Sequence, residues 1–212
     1  MILNTITNRI KTSEVFKQFP FLFESNNSIK YYDPGFFSFS DDTANFYKFL
    51  IYGSLELYLN RSEKKVFLYK LENKQLPIVS IYSSLSDTPI DFYCKSLKES
   101  AILFISLDKI RAYSLDYEEF RKSFIKSKEY HYSSILHVIH SYTTDCLEKR
   151  LHNYLLIKSN SYNTLELPIS QNEISEELNC SREAVTRNLK KLKTKGLIEN
   201  KRGLILIKKE SI

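Results

Sequence analysis

The C-terminal stretch constrains the fold most, because several local signals follow one another there at fixed spacing. Ser170 and Glu173 form a capping box, in which each side chain satisfies a backbone amide at the start of a helix. Asn179-Cys180-Ser181 predicts a tight turn, whose serine caps a second helix that ends at Gly196. Apolar residues flank Asn200-Lys201-Arg202-Gly203, which predicts a β-hairpin. Helix, short turn, helix and hairpin in this order indicate a winged helix-turn-helix.

The same stretch carries much of the positive charge of the chain. The formal net charge is +6, and residues 181–209 hold ten basic residues against two acidic ones. Residues 171–178, just before them, hold three acidic residues and no basic one. A basic segment with an abrupt start favours an anionic partner such as a nucleic acid. A solvated lysine-rich helix, or a winged helix used only for protein contacts, remains an alternative.

The N-terminal half has a different texture. After an amphipathic lead-in over residues 1–28, short strand-like runs are separated by turns, which predicts a sandwich, barrel or roll. The predicted strands are 29–32, 36–39, 46–52, 55–59, 66–71, 78–82, 90–94 and 101–106. Leucines at 55, 57 and 59 alternate with Glu56 and Tyr58, so we expect a buried leucine face and an exposed face with Glu56 and Tyr58.

A long helix is predicted after the strands, since residues 115–158 contain neither proline nor glycine. Two sets of residues recur every seven positions and form a seam with one charged interruption, at Lys128. A helix with such a seam often pairs with its own copy, and the alternative is packing on the strands of the same chain. The predicted dimer seam consists of Ile125, Tyr132, Ile135, Ile139 and Tyr142. We expect a break near residues 142–144 and a further helix over 145–158.

A family resemblance rests on the second helix of the winged segment. The run Cys180-Ser181-Arg182-Glu183-Ala184-Val185-Thr186-Arg187, followed by Leu189-Lys190-Lys191-Leu192 and Gly196-Leu197-Ile198, closely resembles the recognition helix of the Crp/Fnr family of bacterial transcription regulators. The predicted order of β-roll, long helix and winged helix is also similar to that family. The resemblance is specific in the C-terminal third and loose before it.

The resemblance implies roles for individual residues. A recognition helix lies in the major groove, where arginine can bond guanine and a carboxylate can accept from cytosine. The family pattern implies that Arg182, Glu183 and Arg187 contact bases and that Gln171 approaches a phosphate. The residues expected to contact or position the DNA backbone are Ser170, Gln171, Ser181, Thr186, Lys190, Lys201 and Arg202.

The N-terminal half lacks the residues that the resemblance would require for cyclic AMP. A phosphate cassette needs a Gly-Glu pair and an arginine beside a small residue, whereas residues 73–93 contain no glycine, glutamate or arginine. We therefore expect no control by cyclic AMP in the usual mode. The three cysteines are too dispersed for an iron–sulfur cluster or a metal site. Cys94 and Cys146 are expected to pack as buried thiols, and the alternative is that one of them is a redox switch. His131, His137 and His140 are expected to be exposed or to line the seam rather than to bind metal.

The remaining composition excludes several function classes. With only four glycines, none close together, the chain holds neither a dinucleotide fingerprint nor a phosphate loop. No nucleophile–base pair or paired carboxylates stand out, so we expect no enzyme, no catalytic residues, no cofactor and no metal. Residues 1–11 lack the apolar core of a signal peptide, and no apolar run of about 18 residues exists. We expect a cytoplasmic protein without a membrane partner.

Together these observations predict an α+β chain with a cyclic-nucleotide-binding-like β-roll, a long dimerisation helix and a C-terminal winged helix-turn-helix. The expected domains are 1–114, 115–142 and 143–212. The expected function is a homodimeric, sequence-specific regulator on a two-fold DNA operator, with RNA polymerase as a partner if it activates and with an unknown small-molecule effector. The alternative is a cyclic-nucleotide-like sensor module that acts through a protein partner.

Overall fold

The computed structural model describes residues 8–24, 27–38, 45–61, 64–72, 78–80, 92–201 and 203–208. The chain forms two compact units. The first unit combines Met1–Leu57 with Leu71–Ile135, and the second combines Tyr58–Lys70 with Leu136–Ile212. The predicted α+β fold class is confirmed, with an N-terminal sheet domain, a long helix and a C-terminal helix-turn-helix domain.

The strands of the predicted roll are β1 (Ser28–Tyr32), β2 (Gly35–Ser38), β3 (Phe46–Tyr52), β4 (Ser54–Arg61), β5 (Lys64–Glu72), β6 (Ile78–Ser80), β7 (Phe92–Ser96) and β8 (Ser100–Ser106). They pair into two four-stranded sheets, in the orders β1-β8-β3-β6 and β2-β7-β4-β5. The pairings of β8 with β1 and β3, and of β2 with β7, are antiparallel. Residues 73–93, where the sequence predicts that no phosphate cassette is present, lie outside the described residues except for 78–80 and 92–93.

The core of the first unit lies between the sheet of β3 and β8 and the helices at either end of the unit. Phe49, Ile51 and Leu103 from the sheet are fully buried against Phe19 and Leu22 from the N-terminal lead-in. The lead-in is helical over residues 8–12 and in α1 (Glu14–Gln18) and α2 (Phe21–Glu24). Burial of this apolar area stabilises the unit and explains why the lead-in folds onto the strands.

The predicted long helix is divided in two. Helix α3 covers Leu107–Asp116, and helix α4 covers Glu118–Thr144 after the extended residue Tyr117. Leu115 therefore belongs to α3 and not to the long helix. The first turns of α4 are anchored by Phe120, which is fully buried, and by Phe124. The break to the next helix comes at Asp145 and Cys146, slightly later than expected.

Two expectations about burial are wrong. Glu56 and Tyr58 are both 0% exposed, and Leu57 between them is 2% exposed. Alternation along a strand shows that its two faces differ, but a strand covered on both faces exposes neither. Cys94 is buried as expected, whereas Cys146 is exposed because it is the first residue outside the next helix.

Beyond the end of α4, the described residues 147–207 of the second unit form a three-stranded sheet and three helices. Its elements are α5 (Leu147–Tyr162), β9 (Glu166–Leu167), α6 (Gln171–Glu177), α7 (Arg182–Thr194), β10 (Ile198–Lys201) and β11 (Leu204–Ile207). The hairpin of β10 and β11 was expected from the sequence, but β9, which pairs with β11, was not. A two-residue strand leaves too short a pattern to be recognised.

Candidate nucleic-acid interface

The first helix of the helix-turn-helix begins at the predicted capping box. The backbone amide of Glu173 donates to Ser170 Oγ at 3.1 Å, and the backbone amide of Ser170 donates to Glu173 Oε2 at 2.9 Å. Ile174 is fully buried on the inner side of this helix. The box therefore fixes where α6 starts, and the apolar contact fixes which side faces inward.

The turn and the second helix also follow the predicted local signals. Asn179 takes a left-handed conformation with φ of 48°, which lets the chain reverse direction between the helices. Ser181 caps α7 by accepting from the backbone amide of Ala184 at 3.2 Å. Gly196 follows the helix at φ of 73°, a conformation that favours glycine. The buried side of α7 is formed by Val185, Leu189 and Leu192.

The three residues expected to contact bases lie outside this buried side of α7. Arg182, Glu183 and Arg187 are all exposed on its first two turns. Hydrogen bonds from its own backbone amide and from Ser181 lower the pKa of Glu183, and the charges of the two arginines lower it further. Glu183 is therefore an ionised hydrogen-bond acceptor flanked by two guanidinium donors. These groups match the donors and acceptors on base edges in the major groove.

The residues expected to position DNA surround this face, and two of them bind each other. Thr186 donates its hydroxyl to Gln171 Oε1 at 2.6 Å, which ties the start of α6 to the second turn of α7. This bond crosses between two helices, so no spacing rule in the sequence indicated it. Lys190 and Lys201 are exposed. Arg202 lies outside the described residues.

A cleft of about 420 Å³ joins the elements of this face. It lies between the start of α6, the first residue of α7 and the hairpin, and Ser170, Gln171, Arg182 and Lys201 are among its lining residues. The structure thus places predicted contacts from three separate elements around one concavity. Ile169 and Ile205 also line the cleft, and the two cations, Arg182 and Lys201, are the groups in it that could bind an anionic ligand.

The cations near this face differ in how they are compensated. Lys195 pairs with Glu148, and Lys208 lies 2.7 Å from Glu199. Across the part of the chain that the structure describes, no carboxylate forms an ion pair with Arg182, Arg187, Lys190 or Lys201. These four side chains therefore present positive charge to an outside partner.

One further contact that the sequence analysis missed holds the turn in place. Arg150 on α5 donates to the carbonyl oxygen of Leu178, 28 positions later, at 2.9 Å. Its guanidinium also stacks on the ring of Tyr142, 3.7 Å from the ring centre. Burial raises the pKa of the Tyr142 phenol. Arg150 thereby connects the end of α4 to Leu178, the residue that follows α6.

The predicted seam residues line the length of α4, and they differ in exposure. Ile125, Tyr132 and Ile139 are 48%, 49% and 53% exposed, while Ile135 and Tyr142 are half-buried. Leu136, which the heptad pattern did not include, is 64% exposed. A row of large apolar side chains facing water along one helix is typical of a surface that pairs with another chain.

The histidine and cysteine side chains of the described residues do not come together in one site. His131 is buried, which lowers its pKa to about 4, whereas His137 and His140 are exposed. In the described ranges, no three histidine, cysteine, aspartate or glutamate side chains come together as a metal site would need. No helix among the described residues has the length and apolar character required to cross a bilayer.

Comparison with known proteins agrees with this geometry. Residues 149–211 match the model of the Crp-like helix-turn-helix domain. No curated protein matches the chain. A solved structure from Eubacterium rectale, assigned to the Crp/Fnr family of transcriptional regulators, has a TM-score of 0.70 at 20% identity, over 88% of this chain and 87% of that one.

Two further solved structures share the fold. The c-di-GMP-responsive global regulator CLP of Xanthomonas campestris has a TM-score of 0.69 at 15% identity, over 89% of this chain and 97% of that one. A CooA mutant from Carboxydothermus hydrogenoformans has a TM-score of 0.65 at 17% identity, over 92% and 89%. The family resemblance drawn from the sequence is therefore confirmed: this chain carries a Crp-like helix-turn-helix domain on the fold of the Crp/Fnr transcription regulators.

Proposed function

We propose that this protein is a sequence-specific DNA-binding transcription regulator that acts as a homodimer on a two-fold operator. The observation that carries the proposal is the exposure of Arg182, Glu183 and Arg187 on the first two turns of α7, a helix whose other side is packed into an apolar core. Such a helix can enter the major groove while its core-facing side stays packed. The Crp-like domain over residues 149–211 supports DNA as the ligand.

Contacts to the DNA backbone would come from the elements around the cleft. Lys190 follows the base-contacting row along α7, and Lys201 lies in the hairpin at the edge of the cleft. Ser170, Gln171, Ser181 and Thr186 fix the ends and the spacing of the two helices, so we assign them to positioning. Phosphate contacts of this kind set register without selecting sequence.

Dimerisation would use the seam on α4. Exposed Ile125, Tyr132 and Ile139 follow one another at intervals of seven residues, and a second copy of the helix would cover them. A two-fold dimer presents two recognition helices, so its half-sites should lie about one helical turn of DNA apart. In this arrangement residues 1–114 serve as the effector-like domain, the dimerisation segment 115–142 uses helix α4 from Glu118 onward, and residues 143–212 serve as the DNA-binding domain.

The signal would differ from cyclic AMP. The stretch 73–93 offers no arginine for a cyclic phosphate and no glutamate for a ribose hydroxyl, and an unpaired phosphate would be costly to bury. The c-di-GMP-responsive regulator CLP shares this fold. We assign no catalytic role to the chain and place it in the cytoplasm, with RNA polymerase as a partner if it activates.

The decisive experiment is selection of bound duplexes from random DNA by the purified full-length protein. We expect a palindromic consensus with half-sites about one turn apart, and binding whose logarithm falls steeply with the logarithm of salt concentration. Enrichment of no sequence, together with equal affinity for random DNA, would rule out sequence-specific regulation. A consensus with a single half-site would retain DNA recognition but contradict the two-fold dimer.

A further inference from the structure

The second unit contains a buried polar cluster that the proposed DNA contacts do not use. We call it the Lys158 cluster, and it consists of Tyr58 on β4, Phe67 on β5, Tyr154 and Lys158 on α5, and Glu177 on α6. The exposed fraction of these residues ranges from 0% for Tyr58 to 8% for Glu177. A charged pair held this deeply needs partners on every side, which makes its surroundings informative.

The hydroxyl of Tyr58 bridges the two charges of the cluster. The Lys158 ammonium lies 2.7 Å from Glu177 Oε2 and donates to the Tyr58 hydroxyl at 2.8 Å. That hydroxyl in turn donates to Glu177 Oε1 at 3.3 Å. The hydroxyl of Tyr154 donates to Glu177 Oε2 at 2.9 Å. One carboxylate thus receives bonds both from the helix α5 and from the strand β4.

Aromatic rings from strands β4 and β5 and from helix α5 surround the ammonium group. Lys158 Nζ lies 4.7 Å from the centre of the Phe67 ring, 5.3 Å from that of Tyr58 and 5.4 Å from that of Tyr154. These distances fall within the range of cation–π attraction. The described strand segments 58–61 and 64–70 of the β4–β5 hairpin therefore supply two of the three rings and, through the Tyr58 hydroxyl, two hydrogen bonds. The burial of Lys158 depends on that hairpin.

The cluster lies at the entry to the recognition helix. Glu177 is the last residue of α6, and Leu178 and the left-handed Asn179 follow it directly before α7 begins. The hydrogen bonds that hold the Glu177 carboxylate therefore also hold the C-terminal end of α6, where the turn begins. The Glu177 carboxylate is held by the β4–β5 hairpin. The other ends of these two strands, Ser54–Leu57 and Leu71–Glu72, belong to the N-terminal sheet domain.

We propose that residues 58–70 are a positioning element of the DNA-binding unit, which acts through Tyr58 on Glu177 and so on the turn before α7. The affinity for DNA then depends on how firmly the hairpin is seated in the Lys158 cluster. The part of this inference that concerns affinity rests on the proposed DNA binding.

Hydrogen exchange of the free full-length protein tests the link without DNA. Tyr58→Phe removes only the bridging hydroxyl, and we expect amide exchange to rise about tenfold in both residues 58–70 and α6. Tyr154→Phe removes a bond to the same carboxylate from α5, and we expect faster exchange in α6 with the hairpin unchanged. Tyr117→Phe, at an exposed tyrosine of the first unit, controls for loss of a hydroxyl. Unchanged exchange in α6 of Tyr58→Phe would overturn the proposal.

DNA affinity tests the consequence, with the duplex recovered by selection as the probe. We expect Tyr58→Phe to bind about tenfold more weakly with the same salt dependence, because no phosphate contact is lost and the looser turn must be ordered on binding. In the Glu177→Met background, which has no oxygen to accept the Tyr58 bond, the same change should have little further effect, since the hydroxyl acts through that carboxylate. Full affinity, or additive losses, would refute a positioning role.

A second variant and a separate readout keep the two proposals apart. Phe67→Leu removes a hairpin ring without touching a hydrogen bond, and it should change exchange and affinity in the same direction as Tyr58→Phe. Should the first variant not fold, as judged by circular dichroism, this second one decides by the same criteria. If the wild-type chain selects no DNA, the proposed function fails, whereas the exchange experiment still decides whether the hairpin stabilises α6.

Discussion

Two regions of the second unit place their positively charged side chains in opposite environments, one exposed to water and one buried. On the outer side of α7, Arg182 and Arg187 face water with no carboxylate paired to them among the described residues. In the Lys158 cluster, a single ammonium is buried with an acid, a phenol and three rings around it. The charge of Lys158 is therefore balanced within the fold, whereas the charges of Arg182 and Arg187 remain available to bind a partner. Substitutions should therefore affect stability in one region and binding in the other.

The largest effect is expected at the centre of the buried cluster. Lys158→Met leaves the Glu177 carboxylate buried without its cation, and removal of one partner of a buried pair costs about 3–5 kcal/mol of unfolding free energy. Chemical denaturation monitored by circular dichroism measures this loss. Lys190→Met, on the exposed side of α7, is the matched control and should change stability by less than about 0.5 kcal/mol.

The double variant Lys158→Met/Glu177→Gln sharpens this test. It removes both charges while the glutamine oxygen still accepts from the tyrosines, so the chain should be more stable than Lys158→Met alone. Equal stability of the single and double variants would show that lost packing, and not an uncompensated charge, causes the effect.

The opposite pattern is expected on the exposed side of α7. Arg187→Ala and Arg182→Ala should each weaken binding to the selected duplex by about 1–3 kcal/mol and relax base preference at one position. Their unfolding free energy should stay within about 0.5 kcal/mol of wild type. Arg187→Lys keeps the charge but loses the two-pronged bond to guanine, so it should restore overall affinity more than base preference. If Arg187→Ala keeps both affinity and preference, the assignment to base contact is wrong.

The same two regions show what sequence can and cannot predict. The capping box at Ser170, the cap at Ser181 and the left-handed Gly196 depend on neighbours within a few residues, and the structure confirms all three. The Lys158 cluster joins Tyr58 to a residue 100 positions away, and Tyr58 was wrongly expected on an exposed face. Local hydrogen bonds leave a pattern in the sequence, whereas long-range contacts depend on how whole elements pack.

The candidate site divides along the same line. The exposed row of Arg182, Glu183 and Arg187 followed from the helical period, but the bond between Thr186 and Gln171 and that from Arg150 to Leu178 did not. Both missed contacts fix the relative placement of two helices. The sequence thus predicts which side chains face outward, and the structure adds what holds them there.

A smaller effect, on both regions at once, is expected at the cap of α7. Ser181→Ala removes the acceptor for the amide of Ala184 and should lower stability by about 1 kcal/mol. DNA affinity should fall with it, because the first turn carries Arg182 and Glu183. Ser133→Ala, at an exposed serine of α4, is the control for thermal unfolding and binding. A loss of affinity without a loss of stability would mean that the serine hydroxyl contacts DNA directly.

The smallest effect is expected at Lys201, which lies in the β10–β11 hairpin at the edge of the cleft. Lys201→Ala should weaken binding to the selected duplex and to random duplexes alike, and should reduce the slope of log affinity against log salt by about 1, because one phosphate contact is lost. Lys98→Ala makes the same change in net charge at an exposed position of the first unit and should leave the slope unchanged. If Lys201→Ala instead changes base preference with the slope intact, the hairpin contributes to sequence recognition. The separation between base-contacting helix and phosphate-contacting hairpin would then be wrong.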